Sequence, residues 1–225
     1  PFDYNHAAER IEVIRANVER YRIPMFYSNV CGAQTEIIFD GGSIVMSPDG
    51  SVYDELPYFK EEIRYYSLED VVKGGYQREQ PKDKITLVHD ALLMGLQDYF
   101  GKLGLKKAIL GLSGGIDSAV TAVMATRALG AENVRVVLMP SSFSSTHSVE
   151  DAKALAENLG VRYDIIPIAS PHDAFLSLLA PVMEGKPFDV TEENIQARCR
   201  AIILMAISNK HGNILLNTTN KSEMA

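Results

Sequence analysis

The run Gly111-Leu112-Ser113-Gly114-Gly115-Ile116-Asp117-Ser118 gathers residue types suited to holding a polyphosphate. It follows the apolar run Ala108-Ile109-Leu110, which reads as a buried strand, and it opens a stretch, 118–129, with apolar residues at helical spacing. Glycines let backbone N–H groups approach a phosphate closely, and a helix N-terminus favours negative charge. The loop is not a Walker A sequence, which needs a Lys just before its Ser/Thr; here Asp117 stands before Ser118. A carboxylate in a phosphate cradle needs a cation between itself and the phosphates, so Asp117 points to Mg²⁺. The plainer alternative, a turn that only joins a strand to a helix, leaves the two serines and the aspartate unexplained.

Two more clusters suit the same kind of ligand. Asn194 and Arg198, in Glu193-Asn194-Ile195-Gln196-Ala197-Arg198-Cys199-Arg200, are four apart and share one helix face. An amide beside a guanidinium can hold a polar anion, the Arg through its fork; without further context, a solvated face with an i,i+4 pair is the favoured reading. The run Asn217-Thr218-Thr219-Asn220-Lys221-Ser222-Glu223 follows an apolar run and offers hydroxyls, an ammonium and a carboxylate. It suits nucleotide and metal, or simply caps a helix.

These residues need elements to position them. Ile85, Val88, Leu92, Leu96, Tyr99 and Leu103 mark a helix. Strands are expected at 108–112, 134–139, 161–168 and 213–216, with helices at 118–129, 148–159 and 192–211. The β-branched run 134–139 suits a strand buried on both faces. Strand–helix alternation predicts an α/β fold, a parallel sheet with helices on both faces, whose ligands bind at the carboxyl ends of the strands. The loops after 112, 139 and 216 would share that edge. Upstream, Ala7, Ile11, Ile14, Val18 and Tyr21 recur at helical spacing. Strands are expected at 23–30, 36–46 and 52–56, the last two joined by the turn Ser47-Pro48-Asp49-Gly50, with a further one at 63–68. The polar Gly- and Pro-containing stretch 73–84 reads as a linker.

Composition narrows the class. The chain has 225 residues, with 46% apolar and 23% charged, as in ordinary globular proteins. A net charge of −7 argues against a general nucleic-acid binder, which would show a basic surplus. Cys31 and Cys199 cannot make a disulfide framework, and no Cys/His cluster has zinc spacing. No signal peptide and no apolar run of bilayer length is seen, so no membrane partner is expected and the cytoplasm is the simplest location.

The Ser-Gly-Gly-x-Asp-Ser pattern resembles the PP-loop ATP pyrophosphatases. Together with Glu-Asn-Ile-Gln-Ala-Arg and Thr-Thr-Asn-Lys-Ser-Glu, in this order, residues 83–225 are similar to the NAD⁺ synthetases. The first lobe resembles the end of the nitrilase-like glutaminase domain of the glutamine-dependent enzymes, through Pro1-Phe2 and Gln34-Thr35-Glu36-Ile37-Ile38-Phe39-Asp40-Gly41-Gly42-Ser43. The resemblance implies residues 1–72 as the C-terminal part of an α/β nitrilase-like sandwich, 73–84 as a linker, and 85–225 as the N-terminal part of a PP-loop domain of the adenine nucleotide alpha hydrolase-like kind.

The same resemblance implies a reaction: ATP-dependent amidation of deamido-NAD⁺ through an acyl-adenylate, with ammonia from glutamine, giving NAD⁺, AMP and pyrophosphate. It implies that Gly111, Leu112, Ser113, Gly114, Gly115, Ile116, Asp117, Ser118 and Thr218 contact ATP. It implies that Asn194, Arg198 and Glu223 contact deamido-NAD⁺, and that Asp117 and Glu223 hold Mg²⁺. A homo-oligomer, dimer or larger, is also implied. In the family pattern the glutaminase catalytic residues lie upstream of residue 1, so none falls within the chain, and Cys31 stands where a Gly is usual. The chain is expected to be an internal fragment, inactive alone. The alternatives are another PP-loop amidotransferase, or a catalytically incomplete piece that binds nucleotide.

Overall fold

The computed structural model describes residues 1–78, 80, 83–142 and 144–219. The chain divides into two compact units, Pro1–Leu103 and Gly104–Ala225.

In the first unit, helix α1 (His6–Tyr21) lays Ile11, Ile14 and Val18 on Ile44, Met46 and Val52 of an antiparallel sheet. That sheet orders β1 (Met25–Tyr27), β4 (Ile44–Met46) and β5 (Val52–Glu55) as β1-β4-β5. A separate hairpin pairs β2 (Cys31–Gln34) with β3 (Ile37–Asp40). The single strand expected at 36–46 is therefore two strands, broken at Gly41-Gly42. Both glycines have positive φ, and a Cβ on Gly42 would strike the Tyr58 ring at 2.5 Å. Buried Asp40 pins the break, its two oxygens accepting from Arg10 Nη2 at 2.9 and 2.8 Å and Oδ1 also from Asn29 Nδ2 at 2.9 Å.

The strand expected at 63–68 does not form. Arg64 and Tyr66 donate instead to buried Asp54, and Ser67 caps a short helix, α2 (Leu68–Lys73). The stretch expected as a linker is tied to β5 where it is described: Glu55 N donates to Arg78 O, and Gln80 N donates to Glu55 Oε2.

Helix α3 (Lys84–Lys102) belongs to the first unit and packs on the β2–β3 hairpin. Its buried residues are Leu87, Ala91, Met94 and Phe100, whereas of the expected apolar face Ile85, Val88, Leu92, Tyr99 and Leu103 are exposed and Leu96 is half-buried. The helix is apolar on more than one side, so spacing finds the helix and the hairpin selects the face. Gly95 lets Ile38 approach, and Asp98 accepts from Ala33 N.

The second unit holds a four-stranded parallel sheet ordered β8-β7-β6-β9, from β6 (Ala108–Gly111), β7 (Val134–Leu138), β8 (Arg162–Ile165) and β9 (Ile214–Leu215). Side chains of the central strands β6 and β7 alternate between two faces and are mostly buried, as their apolar content predicts. Leu110, Val136 and Leu138 meet Ala122 and Ala125 of α4 (Ile116–Leu129) and Ala152 and Ala156 of α5 (Thr146–Leu159). Ile109 and Val137 meet Cys199, Ile195 and Ile203 of α7 (Val190–His211) on the other face. Small residues in α4 and α5 permit close helix–sheet approach.

Helix α6 (Ala169–Met183) was not anticipated. Its apolar residues lie mostly on its outside, with Phe175, Leu178 and Val182 exposed, so core periodicity is weak. Helix α5 starts at Thr146 on a Ser145 cap, two residues earlier than the expected 148.

Candidate functional site

Chain order runs β6, β7, β8 outward and then returns to β9 on the other flank of β6. The carboxyl end of β6 therefore sits at a reversal of strand order, where open α/β sheets bind ligands. A cavity of about 740 Å³ opens there, lined by Gly111, Ser113, Met139, Ser148 and Thr218 among others. The loops expected on that edge do meet.

The glycine-rich loop is ordered by its own hydroxyls. Ser113 N donates to Ser118 Oγ at 3.2 Å, Gly115 N donates to Ser113 Oγ at 3.1 Å, and Ser118 Oγ donates to Gly115 O at 2.9 Å. Gly115 is the N-cap of α4 and has no side chain to offer the first turn. The first-turn N–H groups thus remain available to an external acceptor. Gly114 needs a positive φ of 85°, and a Cβ there would lie 2.3 Å from Ser148 O. Gly111 keeps the floor open, because a Cβ on it would press Met139 Cε at 3.2 Å and Leu204 Cδ1 at 3.4 Å.

Asp117 lies in the first turn of α4, exposed, and its carboxylate has no partner among the described residues. No cluster of three or more metal-ligating side chains occurs among the described residues. Magnesium binds through one or two carboxylates plus substrate phosphates, so this donor set suits an ion that arrives with a polyphosphate. Thr218 lines the cavity, and Asn217 shapes its loop by accepting from Thr219 N at 3.1 Å. Glu223 lies outside the described residues.

Helix α7 begins with a capping box from Asp189 and Glu192 and presents three faces. Ile195, Cys199, Ile203 and Ile207, spaced by four, pack on the sheet. Ala197, Arg200, Ala201 and Leu204 face the cavity. Asn194 and Arg198 share a face, as their spacing requires, but it is the exposed one; Arg198 Nη1 donates to Asn194 Oδ1 at 3.3 Å. Within this chain they form an i,i+4 pair outside the cavity.

Sequence reasoning missed Arg200, whose Nε donates to Met139 O at 3.3 Å. Burial lowers its pKa from the ordinary value. Its spacing from Ala197 and Leu204 was the available signal. Ser148, which also lines the cavity, was read only as a helix start, and Ser144, another lining residue, was not singled out.

In the first unit, a cavity of about 320 Å³ is lined by Asn29, Cys31, Gly41, Ser43 and Lys60 among others. The Cys31 thiol is pushed up by burial and by the negative charges of Glu61, Asp98 and Asp40, and sits 3.9 Å from Met94 Sδ. Those surroundings favour a protonated thiol; a nucleophilic cysteine needs the opposite field.

Comparison with known proteins agrees with this fold. The glutamine-dependent NAD(+) synthetase of Rhodobacter capsulatus is 47% identical over 223 residues, covering 96% of this chain and 40% of that protein. Its counterpart in Acinetobacter baylyi is 40% identical, covering all of this chain and 42% of that protein. A solved glutamine-dependent NAD+ synthetase from Acinetobacter baumannii, in complex with ADP, superposes with a TM-score of 0.91 at 37% identity, over 100% of this chain and 43% of that one. The NH3-dependent NAD synthetase of Campylobacter jejuni matches 63% of this chain and 59% of its own, with a TM-score of 0.57 and 33% identity. The chain thus spans about two fifths of the length of its glutamine-dependent relatives. The description NAD synthase matches residues 88–225, and the chain belongs to the NAD synthase family.

Proposed function

We propose that the chain is part of a glutamine-dependent NAD⁺ synthetase and that the cavity at the carboxyl end of β6 binds ATP. The observation that supports it most is the cavity lined by both Thr218 and Gly111–Ser113, the residues that lead into the uncapped, glycine-rich start of α4. Ser113–Ser118 would hold the β- and γ-phosphates through backbone N–H groups, with the α-phosphorus left open to attack. A nicotinate carboxylate oxygen of deamido-NAD⁺ attacks that phosphorus, and the bond to the bridging oxygen breaks with pyrophosphate as leaving group. Ammonia then attacks the acyl carbon, AMP departs with the carboxylate oxygen, and the amide remains. A carboxylate is a poor electrophile, and adenylation supplies the leaving group it lacks.

Asp117, and Glu223 beyond the described residues, would hold Mg²⁺, which when bound offsets the charge that grows on the departing pyrophosphate. The loop donors are prearranged for the same charge. Asn194 and Arg198, on the outer face of α7, are suited to deamido-NAD⁺. The first unit would serve the glutaminase domain, with its catalytic residues elsewhere in the protein. A homo-oligomer, dimer or larger, and the cytoplasm complete the reading; no described helix is long and apolar enough to cross a membrane.

The full-length protein should form NAD⁺ from deamido-NAD⁺ and ATP with glutamine, and also with ammonia supplied in its place. No NAD⁺ from either nitrogen source would overturn the reading.

A further inference from the structure

The cavity of the second unit has an unbalanced charge. Of the described residues that line it, Arg200 is the one that carries charge; the others are glycines, apolar side chains, hydroxyls and an amide. Arg200 comes from α7, a different element from the loop that begins α4. It is half-buried and has no carboxylate partner among the described residues. Its single hydrogen bond among the described residues, Nε to Met139 O, is long at 3.3 Å. Among the described residues the two terminal nitrogens of the fork have no acceptor.

A cation taken partly out of water without a counter-ion is costly, and the cost is offset when an anion arrives. Neighbouring Arg198 already has a side-chain partner in Asn194 and lies on another face. Its sequence neighbourhood, Arg198-Cys199-Arg200, therefore splits into an outward-facing and a cavity-facing guanidinium separated by a core cysteine.

We infer that Arg200 is a substrate-binding residue whose guanidinium fork takes a phosphoryl group of the nucleotide in this cavity, from the wall formed by α7. This rests on the nucleotide reading of the cavity. The loop at Ser113–Ser118 supplies neutral backbone donors, and Arg200 supplies the protein's full positive charge, in a planar geometry that matches phosphate bidentately. A lysine would keep the charge and lose the fork.

The test is calorimetric titration of the full-length protein with adenosine, AMP, pyrophosphate and ATP, for the unsubstituted form, Arg200→Ala and Arg200→Lys. Arg200→Ala should weaken ATP about 10- to 100-fold, the range for loss of a charge-assisted hydrogen bond. AMP, pyrophosphate or both should weaken similarly, with adenosine unchanged. Arg200→Lys should recover part of the loss, and the dependence of ATP affinity on salt should be flatter in Arg200→Ala than in either. Equal weakening of adenosine and ATP would show that Arg200 only clips α7 to Met139 and would overturn the inference, as would unchanged ATP affinity. Should Arg200→Ala not fold, the lysine variant decides alone: weaker ATP and unchanged adenosine support the fork, and equal changes refute it. If the unsubstituted protein bound no ATP, the nucleotide reading would fall, and the role of Arg200 with it.

Discussion

Gly114 rests on the backbone of Ser148: a Cβ on Gly114 would lie 2.3 Å from the Ser148 carbonyl oxygen and 2.9 Å from its Cα. The loop after β6 is thereby seated on the first turn of α5. That turn cannot retreat, because α5 is held to the sheet by fully packed Ala152 and Ala156. The strained glycine and its neighbour Gly115 thus have separable roles.

Gly114→Ala should destabilise the fold by roughly 2–4 kcal/mol, from the left-handed backbone and the collision with backbone atoms together. Gly115→Val should leave stability within about 1 kcal/mol, since Gly115 has an ordinary φ of −86° and meets Ser113 Oγ alone, at 3.3 Å. It should nevertheless weaken ATP, because a branched side chain would enter the phosphate cradle. Thermal melts and ATP titrations of the two full-length variants check both statements. Unchanged ATP affinity in a folded Gly115→Val would remove the loop from the nucleotide site.

Asp98 makes acid stability in the first unit testable. The backbone N–H of Ala33 holds its carboxyl below the ordinary range, and Lys102 adds to this against burial. A depressed folded-state pKa means stability that is present above the unfolded value of about 3.9 and lost as pH falls through the folded value. Asp98→Asn should therefore cost about 1 kcal/mol near pH 7, and the difference should shrink steadily below pH 4. Urea melts across that interval give the answer; a gap that stays constant to pH 2 would contradict the assignment.

On α7 the two arginines should separate in kinetics. Arg198→Ala lies on an exposed face, so the melting temperature should barely move, while KM for deamido-NAD⁺ should rise about tenfold, as when one ionic hydrogen bond is lost. KM for ATP should stay put. Steady-state rates with each substrate varied in turn measure this, and a rise in the ATP value equal to that for deamido-NAD⁺ would place Arg198 in the wrong subsite.

Oxygen transfer distinguishes the proposed chemistry from γ-phosphoryl activation. Deamido-NAD⁺ carrying ¹⁸O in its nicotinate carboxylate should yield AMP with one label and unlabelled pyrophosphate. Asp117 stands where a Walker A lysine would reach the β- and γ-phosphates, so the loop favours a departing pyrophosphate over transfer of the γ-phosphoryl group. Mass spectrometry of the products reads the outcome. ADP with labelled inorganic phosphate would sink the adenylation mechanism.

Apart from α6, the second unit was legible from local pattern, because its rules are local. The largely apolar β6 and β7 have the near-continuous burial of a parallel sheet, and Gly114-Gly115 before α4 announces the turn that the backbone takes. The first unit was harder. Gly41-Gly42 breaks what reads as one strand only because Arg10 and Asn29, distant in sequence, hold Asp40 at the break. Arg64 and Tyr66 turn toward Asp54 where alternation suggested another strand.

By itself the sequence determined the residue types of the loop, the strand–helix alternation and the pairing of Asn194 with Arg198 on one face. Spacing along a helix settles which side chains are neighbours, because the helical period is intrinsic to the backbone. Which face meets the cavity is settled by what the helix packs against. The core residues Ile195, Cys199 and Ile203 rotate α7 so that Arg200 turns inward and Arg198 outward. In α3 the β2–β3 hairpin made the corresponding choice, burying Leu87 and Met94 and leaving Val88 and Leu92 outside. Only tertiary packing could decide these orientations, since each depends on contacts between segments far apart in the chain.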